Sequence, residues 1–206
     1  MQDTSVSLCR TVFVGFVCTL LKIVTIQKIG ITVTQLLMVH PGPLSEVTVP
    51  TLDPRFTLRL ATPEDADDLA ELMAEAYEEP WDRERVLREY LGAEEVPATW
   101  IVTDADGVVA VASERLLPTT YPGAGYVHYV GARRRARGQR LGALVTAQCL
   151  SGFARRGLES AVLETDDFRV CALVTYLRLG FIPSYRTEEE QTVWSVLFPT
   201  VLEKRS

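Results

Sequence analysis

Residues 56–60 alternate apolar and polar side chains, the two-residue period of a half-buried strand, and at Thr62 the period changes. Thr62-Pro63-Glu64-Asp65 reads as a helix start: a threonine able to cap, proline at the first helical position, and acids where the helix dipole favours them. Leu69, Leu72, Met73 and Tyr77 then recur at helical spacing and predict a helix to about Tyr77. A second amphipathic helix is predicted over residues 82–91, with Val86, Leu87 and Leu91 inward and Gly92 placed to end it. Residues 100–103 and 108–117 are strand-like and flank the turn Asp104-Ala105-Asp106-Gly107, which makes a hairpin. Residues 126–132 predict another strand, on which His128 alternates with Tyr126 and Val130. Helical spacing follows through Leu141, Leu144, Val145, Cys149 and Phe153 to near Gly157, then a short strand at 160–164 and a helix at 170–179 stopped by Gly180. The remainder to Phe198, rich in β-branched and aromatic residues, predicts mostly strand. The order β-α-α-β-β-β-α-β-α-β-β predicts an α/β (α+β) fold with a mixed central sheet and helices on both faces.

Composition divides the chain near residue 45. Asp3 is the only acid before Glu46, and the later residues carry 26 acids against 18 bases. Four of the six isoleucines and two of the three lysines also fall before that point. The expected organisation is therefore an apolar extension, residues 1–45, and one domain, residues 46–206, entered through the Pro-rich lead-in at 41–54. Three readings compete for residues 1–37. The longest uncharged apolar run, 11–21, ends at Lys22, short of the about 20 residues a membrane span needs. A signal peptide lacks its small-residue cleavage site. The third reading places the start of translation at Met38, leaving the first residues outside the native protein.

A net charge of −6 argues against a protein that coats nucleic-acid phosphates, so no nucleic-acid partner is expected and any basic cluster is local. Cys9, Cys18, Cys149 and Cys171 include no close pair with metal-ligand spacing; buried reduced thiols, a cytoplasmic location and no metal are expected.

The basic cluster lies at the strand-to-helix junction running from Val130 through Arg133, Arg134, Arg135, Arg137 and Arg140 to Gly142. The first amides of a helix have no internal partner and sit at its positive end, so glycines there let backbone N–H groups close around a phosphate. Arginines beside them add charge-assisted hydrogen bonds. The competing reading is a basic solvated turn with a helix-packing glycine.

Together with Tyr176-Leu177-Arg178-Leu179-Gly180-Phe181 downstream, this junction resembles the GNAT superfamily of N-acetyltransferases over roughly residues 56–198. Arg137-Gly138-Gln139-Arg140-Leu141-Gly142 matches the family's first motif, usually R-G-x-G-x-G, except that Arg140 replaces the middle glycine. Ala172, Tyr176, Gly180 and Phe181 fit the second, with Arg169 where an asparagine is usual; the Asp166-Asp167-Phe168-Arg169 lead-in resembles a subset of bacterial members. The resemblance implies acetyl-CoA as co-substrate, its pantetheine arm paired with the backbone of Val130 and Ala132. It also implies a diphosphate held by Arg137, Gly138, Gln139, Arg140, Leu141 and Gly142. The reaction it implies is direct attack by an amine, with Tyr176 as acid: a phenol of pKa about 10 can protonate a departing thiol of pKa about 8.5. Backbone N–H groups at the end of the 126–132 strand would polarise the thioester.

For the base, His128, Glu114 and Asp166 are candidates, each with a structural reading beside the catalytic one. Glu188-Glu189-Glu190 reads as a solvated turn. The expected partners are acetyl-CoA and an amine of a small molecule or peptide, with monomer and homodimer both open. A catalytically inactive CoA-binding regulatory module is the rival reading, favoured by Arg140 and Arg169.

Overall fold

The computed structural model describes residues 35–205, so the readings of the earlier apolar segment fall outside the described residues. The strands are β1 (Leu36–His40), β2 (Thr57–Leu60), β3 (Ala98–Asp104), β4 (Gly107–Leu116), β5 (Ala124–Ala132), β6 (Ser160–Thr165) and β7 (Ile182–Pro183). The helices are α1 (Ala66–Tyr77), α2 (Arg83–Val86), α3 (Leu141–Arg155), α4 (Val170–Arg178) and α5 (Glu188–Arg205). The strands form one sheet in the order β2-β3-β4-β5-β6-β1-β7. Neighbours from β2 to β5 are antiparallel and β5 runs parallel to β6, so the sheet is mixed and the fold α/β, as the periodicities predict. Among the described residues no helix is long and apolar enough to cross a membrane.

The chain divides into two compact units. The larger comprises Met38–Leu163 and Thr175–Ile182. One face of its sheet is covered by α1 and α2, whose Leu69, Leu72, Met73 and Val86 cluster with Tyr90, Ile101 and Val111. The other face lies under α3: a Cβ built on Gly125 of β5 would collide with the Phe153 ring. The start of α1 is held as expected, Thr62 N–H donating to Asp65 Oδ2 at 2.8 Å. The predicted second helix is α2, capped by the Asp82 carboxylate accepting from Arg85 N–H at 2.7 Å, and continues as a π-helical turn over Leu87–Leu91. In the predicted hairpin, Gly107 has φ 109° and leaves no room for a Cβ beside Asp68, whose Oδ2 accepts from Val108 N–H at 2.5 Å.

The smaller unit holds residues 35–37, 164–174 and 183–205. Here one expectation is corrected. Beyond the two residues of β7 the chain is helix α5 and not strand. The local preference of Thr192, Val193, Trp194, Val196 and Phe198 for strand is overridden by a helix start at Thr187-Glu188-Glu189-Glu190, where Glu190 N–H donates to Thr187 Oγ1 at 3.2 Å. Glu190, Val193, Trp194, Leu197 and Val201 are buried at helical spacing. Nor is the Glu188–Glu190 run wholly solvated: Glu190 is 5% exposed and accepts from Arg186 Nε at 2.7 Å. Arg186 also reaches Glu164 at 2.6 Å.

β1 is a strand that the alternation does not predict. Its Leu36 and Met38 are fully buried, and an all-apolar Leu-Leu-Met-Val run carries no two-residue period from which to read it.

Candidate active site

The site grows from β5. Its parallel ladder with β6 covers only Ala124, Gly125 and Tyr126 opposite Ser160, Ala161 and Val162. Past Tyr126 the pairing with β6 ends while β5 continues to Ala132, so the strand edge that bears Val130 and Ala132 is left to pair with something other than β6.

In the same stretch β5 carries a bulge. On β4, Val111 faces Gly131 and Ser113 faces His128, so Ala112 alone stands opposite both Tyr129 and Val130. Tyr129 sits in the left-handed region at φ 48°, which costs a non-glycine residue about 1–2 kcal/mol. The extra residue breaks the alternation read from sequence. His128 and Tyr129 both face the α1/α2 side, whereas Val130 turns to the α3 side, its Cγ1 4.0 Å from where a Cβ of Gly142 would stand.

The bulge is held by rings. Tyr129 stacks on Tyr90 with centroids 5.2 Å apart and meets Tyr77 and Trp81 edge-on at 5.5 and 5.3 Å. The Tyr77 hydroxyl donates to the Val130 carbonyl at 3.1 Å. Arg85 lies over Trp81, 3.5 Å from the ring centroid, and is paired with Glu79 and Glu89. Burial and the neighbouring Glu89 raise the Tyr129 phenol above its ordinary pKa.

The basic turn sorts its arginines. Arg133 pairs with Asp68 and Glu71, Arg134 with Glu78, and Arg135 with Asp104. Arg137 and Arg140 are exposed and, among the described residues, make no ion pair. They flank a left-handed turn in which Gly138 has φ 81° and Arg140 φ 59°, ψ 20°. Position 140, where the resemblance expects glycine, does adopt a glycine-like backbone. Helix α3 follows, its first internal bond running from Leu144 N–H to Arg140 O at 3.1 Å, so the N–H groups of Leu141, Gly142 and Ala143 have no partner up the helix. A Cβ on Gly142 would meet nothing nearer than Val130 Cγ1 at 4.0 Å, and one on Gly138 would meet nothing within 4 Å. Packing therefore does not demand glycine at 142. The missing side chain leaves a space framed by free amides and two unpaired cations, which suits a diphosphate. On the other side of the turn, a cleft of about 410 Å³ is lined by Arg55, Phe56, Asp104, Arg135 and Gln139. Its arginines are already paired, Arg55 with Asp53 and Arg135 with Asp104, so it offers a ligand little charge.

Tyr176, the predicted acid, lies on α4, 6% exposed and edge-on to Phe181 with centroids 5.9 Å apart. The base candidates occupy different environments. His128 is half-buried among Tyr90, Tyr126 and Tyr129, and burial, aided by the nearby Arg115 cation, drives its pKa down to about 3. It is a neutral imidazole at ordinary pH, able to accept a hydrogen bond and weak as a base. Glu114 lies on the α3 face, 1% exposed, its carboxylate taken by Trp100 Nε1 at 2.8 Å and Arg156 Nε at 3.0 Å. Asp166 pairs with Arg169 Nε at 2.8 Å. The next residue, Asp167, has its pKa raised by burial. Among the described residues no group of His, Cys, Asp and Glu could hold a metal ion.

Sequence reading missed Tyr77, Trp81, Tyr90 and Tyr129 as members of this site. The spacing of Tyr77 on its helix marks it as core, Trp81 lies between elements with no period, and only the bulge turns Tyr129 toward them.

Comparison with known proteins bears on the family and the fold. The family described as Acetyltransferase (GNAT) family matches residues 66–181. The chain is similar to mycothiol acetyltransferases of Mycobacteroides abscessus, 43% identical over 60 residues, and Nocardia farcinica, 38% identical over 64 residues. Those stretches are 29% and 31% of this chain, and the chain spans only about a fifth of either relative, 20% and 21%. Among solved structures, a GCN5-related N-acetyltransferase from Sphaerobacter thermophilus superposes with a TM-score of 0.56 at 22% identity, covering 73% of this chain and 48% of that one. The ribosomal-protein-S18-alanine N-acetyltransferase of Escherichia coli gives 0.54 at 16% identity, covering 63% and 79%. At these identities the likeness is one of fold.

Proposed function

The chain belongs to the acetyltransferase (GNAT) family, and on that premise we propose that it moves an acetyl group from acetyl-CoA to a primary amine of a small molecule or peptide by direct attack, with no covalent acyl-enzyme. The observation that carries the reading is the sorting of charge at the turn: three arginines are paired with acids, while Arg137 and Arg140 make no ion pair among the described residues and stand beside the first amides of α3.

In this reading Gly138, Gln139, Leu141 and Gly142 hold the diphosphate through their backbone, and Arg137 and Arg140 add charge. Val130 and Ala132 align the pantetheine arm along the edge of β5. The Val130 carbonyl already accepts from Tyr77, so this residue offers chiefly its N–H and a second lone pair. Acetyl-CoA, when bound, supplies the activated acyl group. Backbone N–H groups at the bulge stabilise charge on its carbonyl oxygen, and Tyr176 donates a proton to the departing thiolate. The amine loses its proton through water, since neither the neutral His128 nor the engaged Glu114 is suited to take it. The names of the two mycothiol acetyltransferases favour a small-molecule acceptor over a peptide. Cys149, a buried thiol, fits a reducing compartment such as the cytoplasm.

The test is isothermal titration with acetyl-CoA at low salt, followed by a thiol-release assay over polyamines, amino acids, aminoglycosides and peptide N-termini. Binding with amine-dependent thiol release is the expected result. No binding removes the reading.

A further inference from the structure

The bulge in β5 places a tyrosine in a costly backbone conformation at the point where the strand loses its β6 neighbour, so something must hold it there. The packed rings of Tyr90 and Trp81 restrain the Tyr129 side chain. Rings resist displacement, yet they do not set the direction of a peptide plane. The contact that does is polar: the hydroxyl of Tyr77, the last residue of α1, donates to the carbonyl of Val130 at 3.1 Å. That carbonyl and the Gly131 N–H belong to one rigid peptide unit, so fixing one fixes the other. Gly131 adds no stiffness of its own and lies against Leu72 of the same helix, with a built Cβ 3.0 Å from Leu72 Cδ2. Helix α1 thus touches the bulge at a polar point, Tyr77 at its C-terminal end, and at an apolar one, Leu72 at its middle.

We infer that Tyr77 is a positioning residue for acyl transfer: by tethering the Val130 carbonyl it sets the peptide planes of the β5 bulge that face the thioester. This rests on the acetyl-CoA reading above. Tyr77 itself touches neither ligand nor reacting atoms. Because it acts on the bulge and not on the phosphate turn at Arg137–Gly142, its loss should weaken transfer more than binding. Hydrogen-bond donors must sit within a few tenths of an ångström of the oxygen on which charge develops, whereas diphosphate binding tolerates a loose thioester end.

Tyr77→Phe removes one oxygen and keeps the ring contact with Tyr129. Thermal melting, acetyl-CoA affinity by titration, and thiol release from acetyl-CoA to the best amine of a panel, or to water, are compared with the parent chain. The expected result is an acetyl-CoA affinity within about twofold, a melting temperature within a few degrees, and thiol release down about tenfold. Thiol release equal to the parent, or a loss matched by the unfolded fraction, overturns the assignment alone. A parent chain that binds no acetyl-CoA overturns the assignment together with the reading beneath it. Should Tyr77→Phe fold poorly, Tyr77→His keeps a ring and a donor: thiol release per folded molecule above that of Tyr77→Phe supports positioning, and release no higher overturns it.

Discussion

His128 and Tyr129 are consecutive in the chain, yet their rings lie on the same face of the sheet with centroids 4.0 Å apart. A regular strand sends consecutive side chains to opposite faces. The bulge opposite Ala112 is what permits the arrangement, and the same extra residue turns Val130 toward the first turn of α3. One backbone irregularity therefore builds both the aromatic wall and the strand edge of the site.

Arg140 occupies a left-handed position that costs an L-residue about 1–2 kcal/mol relative to glycine in the folded chain, partly offset by the entropy glycine loses on folding. Arg140→Gly should leave stability unchanged or raise it by up to about 1 kcal/mol, while removing one unpaired cation. Acetyl-CoA titrations at two ionic strengths should show weaker binding at low salt and a flatter salt dependence. An unaltered salt dependence would exclude the guanidinium from phosphate binding.

Gly142 has space around it that its neighbours do not need. Gly142→Leu should keep or slightly raise the melting temperature, because leucine is the better helix former by roughly 0.8 kcal/mol, and should weaken acetyl-CoA binding more than tenfold by filling the cradle. Undiminished binding in a folded variant would move the diphosphate elsewhere.

Tyr176→Phe should lower kcat by about tenfold or more and change acetyl-CoA affinity little, as expected for a proton donor that does not hold the diphosphate. Equal turnover in the variant removes Tyr176 from the acid role.

Burial holds the pKa of His128 down at about 3 and lowers that of His40, against an ordinary 6.5. In the unfolded chain both take up a proton near pH 6.5, while in the native state His40 takes it up at lower pH and His128 only near pH 3. Their stabilising contribution is therefore complete above 6.5 and declines as the pH falls, for His128 down to about 3. Unfolding free energies from urea titrations between pH 6.5 and 5 should drop by roughly 1 kcal/mol per pH unit from His128 alone, and His128→Gln should flatten the slope. The same slope in that variant would mean that the imidazole is not excluded from protonation.

At Gly152 two physical effects oppose each other. Helix propensity favours alanine by about 1 kcal/mol. A Cβ there collides with Glu114 Oε1, a buried carboxylate held by Trp100 and Arg156. Displacing it should cost about 2–3 kcal/mol, so Gly152→Ala is expected to lower stability in chemical denaturation. A stabilised variant would show that Glu114 can move freely.

Much of the larger unit is legible in the sequence, because its helices and the β3–β4 hairpin carry clean periods and punctuation: the Thr62 start of α1, the Asp82 cap, and Gly107 with φ 109°. The turn at Arg137–Gly142 is legible for a similar reason, since glycine and charge at a strand-to-helix junction have a local physical meaning. Helix α5 is not read correctly, because Thr187 and Glu190 signal a helix start while the residues after them prefer strand, and burial along one helical face settles the conflict.

The amino-acid order alone determined most of the helices and strands of the larger unit, where the glycine- and arginine-rich turn lies, and which family the motifs resemble, because these depend on neighbours within a few residues. Tertiary structure decided which arginines of the turn are paired with acids, that Glu114 is spent on holding α3, and that a bulge puts His128 and Tyr129 on one face of β5 and turns Val130 to the other. Each of those depends on a partner tens of residues away, Asp68 for Arg133, Arg156 for Glu114 and Tyr77 for Val130, and no local period encodes such a partner.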